Sequence, residues 1–251
     1  MPDTQSNSLE LIIDPPAAGS WNMGVDEMLM ERAAEQGIGT LRFYEWSPAT
    51  LSLGYFQNAE DRLGHEASLA CPLVRRSSGG GAILHDRELT YSISLPIGHP
   101  LAADAETLYR RIHGLLLATL ADFEITAHLN ARALVSLDGE PFLCFQRRAV
   151  GDVVLDDFKI CGSAQRRRRG AILQHGSILL ARSPAAPELP GIAELASRSI
   201  AAAELRDAWL ERWRNDISPL RLREPFSPPE RTATLGHIDD KYGAETWTKR
   251  R

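Results

Sequence analysis

The feature that most constrains the fold is a run of three β-forming segments between residues 152 and 180. Residues 152–155, 158–161 and 170–180 are rich in β-branched and other apolar side chains. Asp156-Asp157 predicts a tight turn after the first segment, and residues 166–170 predict a second turn. Because short turns join antiparallel neighbours, these segments are predicted to be consecutive strands of one antiparallel sheet.

Strand and helix patterns alternate in the rest of the chain. Further strands are predicted at residues 9–14, 41–46, 50–55 and 88–95 and from Leu73 onward. Helices are predicted at residues 22–33, 104–121 and 202–213, where apolar residues recur every three or four positions. Asn22 or Ser20 is the expected N-cap of the first helix, which Gly37 and Gly39 end. This mixture predicts the α+β class, with mixed and antiparallel sheets packed against helices.

The composition changes after Ser183, because prolines become frequent in the remaining part of the chain. Proline interrupts helices and central strands, so this region predicts short elements separated by turns. We therefore predict a main domain at residues 1–183 and a proline-rich, helical appendage at residues 184–251 that packs on it.

Bulk composition argues against several classes of protein. The formal net charge is -5 and no apolar run approaches the ~20 residues that cross a bilayer, so we expect neither a nucleic acid nor a membrane as partner. The polar N-terminus does not resemble a secretory signal, which makes the cytoplasm the expected location. Cys71, Cys144 and Cys161 lack paired spacing, which argues against a disulfide framework and against a metal site.

Three adjacent glycines, Gly79 to Gly81, separate two predicted strands. Glycine lets the backbone approach a ligand closely and adopts the positive φ that a nest of amide groups requires. Standing alone, the glycines would predict a flexible loop equally well. Arg75, Arg76 and His85 on either side favour a ligand site, although the spacing fits neither a Walker loop nor a dinucleotide fingerprint.

Cys144 lies between Leu143 and Phe145, a setting in which most cysteines are small core residues. Lys159 follows Phe158, and a lysine buried in such an apolar setting needs a partner for its ammonium group. A lysine beside a thiol favours the thiolate, which is the nucleophilic form. The residues alone leave open whether the two side chains meet and whether Cys144 is a nucleophile.

Four consecutive arginines, Arg166 to Arg169, are most simply a solvated turn. The alternative is a landing site for an acidic protein or a phosphate group, which would steer encounter more than it would raise affinity. The histidines His99, His113 and His128 are interpreted as structural or solvent-facing residues.

Two motif blocks together resemble the catalytic domain of the biotin/lipoate protein ligase superfamily. Residues 75–86 resemble its Arg-Arg-x-Ser/Thr-Gly-Gly-(Gly/Arg)-Ala-Val-x-His signature. Residues 159–165 and 173–177 resemble its second signature, Lys-(Ile/Val)-(Ala/Ser)-Gly-Ser-Ala-Gln followed by Gln-His-Gly-Ser. Residues 22–27 match its Asn-Met-Ala-x-Asp helix. The resemblance covers about residues 9–182 and implies the class II synthetase-like α+β fold of that superfamily.

Within the superfamily the chain resembles the lipoate-metabolism branch, and more closely its cysteine-dependent octanoyltransferases than its lipoate-protein ligases. Residues 88–92 resemble the continuation of the first signature that is typical of octanoyltransferases and amidotransferases. Cys144 precedes Lys159 by fifteen residues, and Cys-Phe at this position resembles the octanoyltransferase pattern. Two positions depart from that group. Gly81 stands where octanoyltransferases frequently have arginine and ligases tend to have glycine, and Cys161 stands where alanine or serine is usual.

The resemblance implies that residues 1–183 form a catalytic domain that transfers an octanoyl group from acyl carrier protein to a lysine of a lipoyl domain or of a glycine-cleavage H-type protein. Cys144 would carry the acyl thioester, and Lys159 with backbone amides around Gly162 and Ser163 would stabilise the oxyanion. No cofactor is expected for this reaction. The substrate-binding residues that the two signatures imply are Arg75, Arg76, Ser78, Gly79, Gly80, Gly81, His85, Gly162, Ser163, Ala164, Gln165, His175 and Gly176.

Three alternatives remain open. An ATP-dependent lipoate-protein ligase would use ATP and magnesium, hold a lipoyl adenylate at the glycine loop and Lys159, and need no cysteine. An octanoyl amidotransferase would use the same cysteine chemistry with an acylated H-type protein as donor. A module that binds lipoyl domains or acyl chains without turnover is the non-enzyme alternative.

Overall fold

A mixed β-sheet organises the protein in the computed structural model, which describes residues 8–133, 140–224 and 226–251. The strands in this part of the chain are β1 (Leu9–Ile13), β2 (Thr40–Tyr44), β3 (Thr50–Leu53), β4 (Leu73–Arg75), β5 (Ile83–His85), β6 (Glu88–Pro96), β7 (His128–Leu129), β8 (Val153–Leu155), β9 (Phe158–Arg168), β10 (Ala171–Leu179) and β11 (Leu220–Leu222). The α-helices are α1 (Gly19–Gln36), α2 (Ala105–Asp122), α3 (Ile192–Leu195), α4 (Ala202–Asp216), α5 (Pro228–His237) and α6 (Glu245–Thr248). The predicted α+β class is confirmed.

The main sheet has the strand order β11-β1-β2-β6-β10-β9-β8-β7. β1 pairs in parallel with β2 and β11, and the remaining neighbours are antiparallel. The prediction that β8, β9 and β10 follow one another as antiparallel strands is confirmed. A smaller sheet of order β4-β3-β5 lies beside the main one, so the segments predicted at residues 41–46 and 50–55 belong to different sheets.

β9 is longer than predicted, and it includes residues 162–165 of the second signature and the first three arginines of the four-arginine run. It continues past Cys161 to Arg168, and each residue from Cys161 to Arg168 has a partner on β10. The turn is therefore only Arg169 and Gly170, with φ of 48° and 91°, as a two-residue hairpin requires. The prediction of a turn spanning residues 166–170 is therefore wrong, because residues 166–168 belong to β9.

The two faces of the main sheet are covered differently because side chains alternate along each strand. Leu11, Phe43 and Ile93 join a large apolar core together with side chains of α2 and α4. The neighbouring residues Arg42 and Ser92 face the other way, where both bind Asp26 of α1. The polar face beneath α1 is the face on which the candidate site lies.

The first residues of α1 correct the predicted N-cap. The helix begins at Gly19 with Ala18 in the capping position and without a side-chain cap. Asn22 is buried within the helix, where its amide donates to the carbonyls of Ala17 and Glu45 and its oxygen accepts from Arg42. Gly37, in the left-handed conformation, ends the helix as predicted.

The segment after Ser183 contributes a strand and helices that pack against the main domain. β11 adds a parallel edge strand to β1, and α4 inserts Trp209 and Trp213 into the large core. α5 lies along α1, and the carbonyl of Thr248 in α6 accepts from Arg75. No helix among the described residues has the length and apolar composition needed to span a membrane.

Candidate active site

Cys144 begins a short 3-10 turn, Cys144–Gln146, that is fastened to the end of the glycine loop. Its backbone N–H donates to the Ala82 carbonyl over 2.7 Å, and the Ala82 N–H donates to the Phe142 carbonyl over 2.9 Å. Leu143 and Phe145 are buried on either side of it, while Cys144 itself stays partly accessible. The apolar neighbours that suggested a core cysteine therefore anchor a thiol that faces the cavity.

The structure brings Lys159 to Cys144. Nζ of Lys159 lies 3.7 Å from Sγ of Cys144 and 2.9 Å from Oδ2 of Asp152. Burial acts to lower the pKa of Lys159, but the Cys144 sulfur and the Asp152 carboxylate outweigh it, and the pKa is raised. The lysine is therefore an ammonium ion at neutral pH, and its positive charge faces the Cys144 sulfur.

Asp152 is a site residue that sequence reasoning missed. Its side chain is 1% exposed, and it accepts hydrogen bonds from the Tyr109 hydroxyl over 2.6 Å and from the Ala149 N–H over 2.7 Å. A carboxylate at the start of an apolar strand, seven residues before the lysine, was the available signal. Only the register of β8 and β9 shows that the two side chains meet.

The structure gives Gly162 and Ser163 roles other than the predicted stabilisation of the oxyanion by their backbone amides. A Cβ on Gly162 would stand 2.5 Å from Nζ of Lys159, so the missing side chain makes room for the ammonium group. The Ser163 N–H donates to the Tyr109 hydroxyl over 3.3 Å, and its own hydroxyl lies 2.7 Å from the ring of His113. The Ser163 amide thus already has an acceptor within the protein.

Arg76 holds the glycine loop in shape. Its guanidinium is buried and donates to the Gly79 carbonyl over 2.9 Å, to the Gly81 carbonyl over 2.6 Å and to the Ser52 carbonyl over 3.0 Å. Burial lowers the pKa of Arg76 to about 10, so the side chain stays charged at neutral pH. Gly80 has a φ of 95°, a conformation that favours glycine.

Arg75 does not line the cavity, contrary to the sequence prediction. Its guanidinium is buried and donates to four carbonyl groups, those of Gly54, Tyr55, Gln57 and Thr248. Arg75 therefore joins the segment at residues 54–57 to α6, and this contact could not be predicted from the neighbouring motif.

The backbone packs closely around Gly81 and leaves little room for a side chain at this position. A Cβ at this position would lie 3.0 Å from the Cys144 nitrogen and 3.0 Å from the Phe142 oxygen. Glycine here lets the segment that carries Cys144 lie directly against the loop.

A cavity of about 270 Å³ opens at Cys144. This volume is near the lower end of the ~300–1,000 Å³ of small-molecule sites, which suits a short flexible chain better than a bulky ligand. Of the predicted substrate-binding residues, those that line it are Arg76, Gly79, Gly80, His85, Gly162, Ser163, Ala164, Gln165, His175 and Gly176. Sequence reasoning missed the other side chains that line it: Met23, Tyr44, Trp46, Ile83, Thr90, Phe145 and Ser177.

Two histidines on the cavity wall belong to buried polar networks. His175 lies 2.5 Å from the Ser78 hydroxyl and 3.3 Å from Asp26, so Ser78 supports a cavity-lining side chain. His85 lies 2.7 Å from Glu88 and stacks on Trp46 at 3.8 Å between ring centroids. Burial lowers the pKa of His85 despite Glu88, so its imidazole is neutral at neutral pH.

The four-arginine run is mostly engaged within the fold. Arg166 donates to the Ser77 carbonyl and Arg167 donates to the Ala102 carbonyl, while Arg168 forms an ion pair with Glu27. These contacts fasten the end of β9 to neighbouring elements, so the interpretation as a simple solvated turn is wrong. Among residues 8–133, 140–224 and 226–251, no group of three or more His, Cys, Asp or Glu side chains is arranged to hold a metal ion.

Comparison with known proteins agrees with this fold. Residues 18–187 match the lipoyl protein ligase A/B catalytic domain. The sequence is 31% identical to octanoyltransferase LipM of Macrococcus caseolyticus, over 92% of this chain and 94% of that one, and 41% identical to octanoyltransferase LipM of Geobacillus kaustophilus, over 66% and 62%. The bipartite lipoate protein ligase of Thermoplasma acidophilum, solved as part of a lipoylation system with its E2 lipoyl domain, superposes with a TM-score of 0.72 at 19% identity, over 97% of this chain and 96% of that one.

The fold is thus that of a lipoate protein ligase catalytic domain, here with a cysteine and a lysine facing each other at its cavity. The chain belongs to the lipoyl protein ligase A/B catalytic domain family.

Proposed function

We propose that the protein is an octanoyltransferase of lipoate biosynthesis, which takes the octanoyl group from acyl carrier protein onto Cys144 and passes it to a lysine of a lipoyl domain or H-type protein. The observation that carries the proposal is the 3.7 Å separation of Lys159 Nζ and Cys144 Sγ at the mouth of the 270 Å³ cavity. Relatives named octanoyltransferase LipM support the choice of acyl group.

The first half-reaction is a thioester exchange. The Cys144 thiolate attacks the carbonyl carbon of the donor thioester, a new C–S bond forms, and the bond to the carrier sulfur breaks as the carrier leaves as a thiolate. The Lys159 ammonium faces the oxygen that becomes negative in the transition state and can protonate the leaving sulfur. Asp152 holds the amino group of Lys159 in place throughout.

The second half-reaction is aminolysis of the acyl-enzyme. The neutral amine of the acceptor lysine attacks the same carbonyl carbon, an amide bond forms, and Cys144 leaves as a thiolate. The amine loses one proton, which the neutral form of Lys159 accepts after the first half-reaction. The ion pair between thiolate and ammonium is thereby restored.

The walls of the cavity suit the acyl chain. Met23, Trp46, Ile83 and Phe145 supply apolar surface, while Gly79 and Gly80 line the cavity without side chains. Burial of apolar surface provides the binding energy for a chain without polar groups, at ~0.8 kcal/mol per CH₂.

Intact-mass analysis after incubation with octanoyl carrier protein tests the acyl-cysteine. We expect one octanoyl group on the wild type, none on Cys144→Ala, and one on the matched control Cys71→Ala, whose thiol is also partly accessible. Cys161 is fully buried and burial raises the pKa of its thiol, so it should stay unmodified. Full octanoyl transfer to a lipoyl domain by Cys144→Ala would overturn the proposal.

The same experiment separates the ligase alternative, which the glycine at position 81 favours. A ligase would form lipoyl-AMP from lipoate, ATP and magnesium, and Cys144→Ala would retain that activity. We expect transfer from octanoyl carrier protein without any nucleotide. Replacing the donor with octanoylated H-type protein then distinguishes an octanoyltransferase from an amidotransferase.

A further inference from the structure

Three arginine side chains from distant parts of the sequence converge on two aromatic rings beside the cavity. The guanidinium of Arg250 lies 4.0 Å from the ring centroid of Tyr55, and that of Arg166 lies 5.6 Å from the same centroid. The guanidinium of Arg251 lies 5.5 Å from the centroid of Phe56, an exposed ring. We call these five residues the arginine patch.

The arginine patch adjoins the glycine loop. The Tyr55 N–H donates to the Ser78 carbonyl over 2.8 Å, and a Cβ on Gly79 would lie 3.9 Å from the Phe56 ring. Arg166 also donates to the carbonyl of Ser77. Because Gly79 lines the cavity, the patch stands at the edge of the opening that leads to Cys144.

Within the described part of the protein, no Asp or Glu side chain forms an ion pair with Arg166, Arg250 or Arg251. Arg250 and Arg251 add to burial in lowering the pKa of nearby Arg75, which is the signature of like charges held close together. The chain as a whole carries a net charge of -5, so the charge of this cluster is opposite in sign to the net charge of the protein. An uncompensated group of cations at a cavity mouth indicates an anionic ligand.

We propose that the arginine patch is the docking site of the donor, an acidic carrier protein whose thioester tether contains a phosphodiester; this rests on the octanoyl transfer proposed above. A guanidinium has five N–H donors, so Arg166 and Arg250, which use donors on Ser77 and Tyr55, retain others that can bind a phosphate. The acceptor instead presents a lysine amine to the acyl-enzyme, and that amine offers these guanidinium groups no anion to bind. Charge complementarity therefore favours the donor.

The test compares a charge reversal in the patch with the same reversal elsewhere. The patch variant carries Arg250→Glu and Arg251→Glu, and the control carries Arg110→Glu and Arg214→Glu, two exposed residues on α2 and α4. Acylation of Cys144 is followed with octanoyl carrier protein and with octanoyl-N-acetylcysteamine, which has no phosphodiester. We expect kcat/KM with the carrier donor to fall about tenfold or more in the patch variant only, and to fall much less with the small thioester.

Several results would overturn the assignment: an equal loss with both donors, an undiminished rate with the carrier donor, or a loss confined to the KM of the lipoyl-domain acceptor. Isothermal titration with the non-acylated holo carrier protein measures docking without turnover. A wild type that binds the carrier more tightly than the patch variant but never acylates Cys144 refutes octanoyl transfer and not the docking site. A wild type that acylates Cys144 while both proteins bind the carrier equally refutes the docking site and not the transfer.

Discussion

Nζ of Lys159 occupies the space that a side chain at position 162 would fill, since a Cβ on Gly162 would lie 2.5 Å from Nζ and 2.3 Å from Cε. The second signature therefore places a glycine three residues after its lysine for a steric reason. The lysine folds back over its own strand, and the glycine gives it the room to reach Cys144 and Asp152.

Gly162→Ala is expected to displace the ammonium group and lower kcat/KM for Cys144 acylation by about 10²-fold, because a shift of ~1 Å at a reacting group has that effect. Stopped-flow or quenched acylation assays measure it. Gly114→Ala is the matched control, since a Cβ there meets no atom within 4 Å and a helix tolerates alanine. Activity of Gly162→Ala within threefold of wild type would show that Lys159 need not hold its observed position.

Asp152→Asn is expected to move the alkaline limb of the pH–rate profile to lower pH. The pKa of Lys159 is raised because Cys144 and Asp152 together outweigh burial, so removing the carboxylate lets burial lower it. The variant should also lose stability, on the order of 3–5 kcal/mol for one partner of a buried ion pair. Tyr109→Phe, which removes only one hydrogen bond to Asp152, is the milder companion. An alkaline limb that stays in place in both variants would contradict this role.

Met23→Ala is expected to shift acyl preference toward chains longer than octanoyl, because Met23 lines the cavity and its removal lengthens the apolar space. Competition between octanoyl and dodecanoyl carrier proteins, read by the mass of the acyl-enzyme, measures the shift. Met28→Ala is a close control, since Met28 lies on the same helix and is equally buried but does not line the cavity. Both variants should lose ~2–5 kcal/mol of stability, so a preference that shifts equally in both would contradict the prediction.

Glu230→Gln is expected to lower the melting temperature at neutral pH and to have little effect near pH 2. Hydrogen bonds from Arg223 lower the pKa of Glu230 to about 2, so its ionised form stabilises the fold above its ordinary value near 4.5. That contribution is lost as the pH falls through the interval between the two values. Thermal melts of wild type and variant at several pH values measure it, with the exposed Glu204→Gln as control. A difference in melting temperature that does not change between pH 7 and pH 2 would contradict the assignment.

The secondary-structure patterns predicted much of the main sheet because burial on one face leaves a repeat of two in the sequence. The antiparallel run from β8 to β10 could be found in this way. The helices α1, α2 and α4 could be found from apolar residues that recur every three or four positions. The bounds that were wrong have local causes. The predicted strand ends at Cys161 because small and charged residues follow that position. Cross-strand pairing with β10 nevertheless keeps these residues in β9 as far as Arg168.

The candidate site shows the same division. Local sequence determined the glycine loop, the lysine with its glycine and the short segment that bears Cys144, because each depends on the conformation and chemistry of adjacent residues. Only the tertiary structure decided that Lys159 meets Cys144 and Asp152, that Arg75 turns away from the cavity, and that Arg166 joins Arg250 and Arg251. Such contacts depend on strand register and on the path of the chain between distant segments, and no short stretch of sequence carries that information.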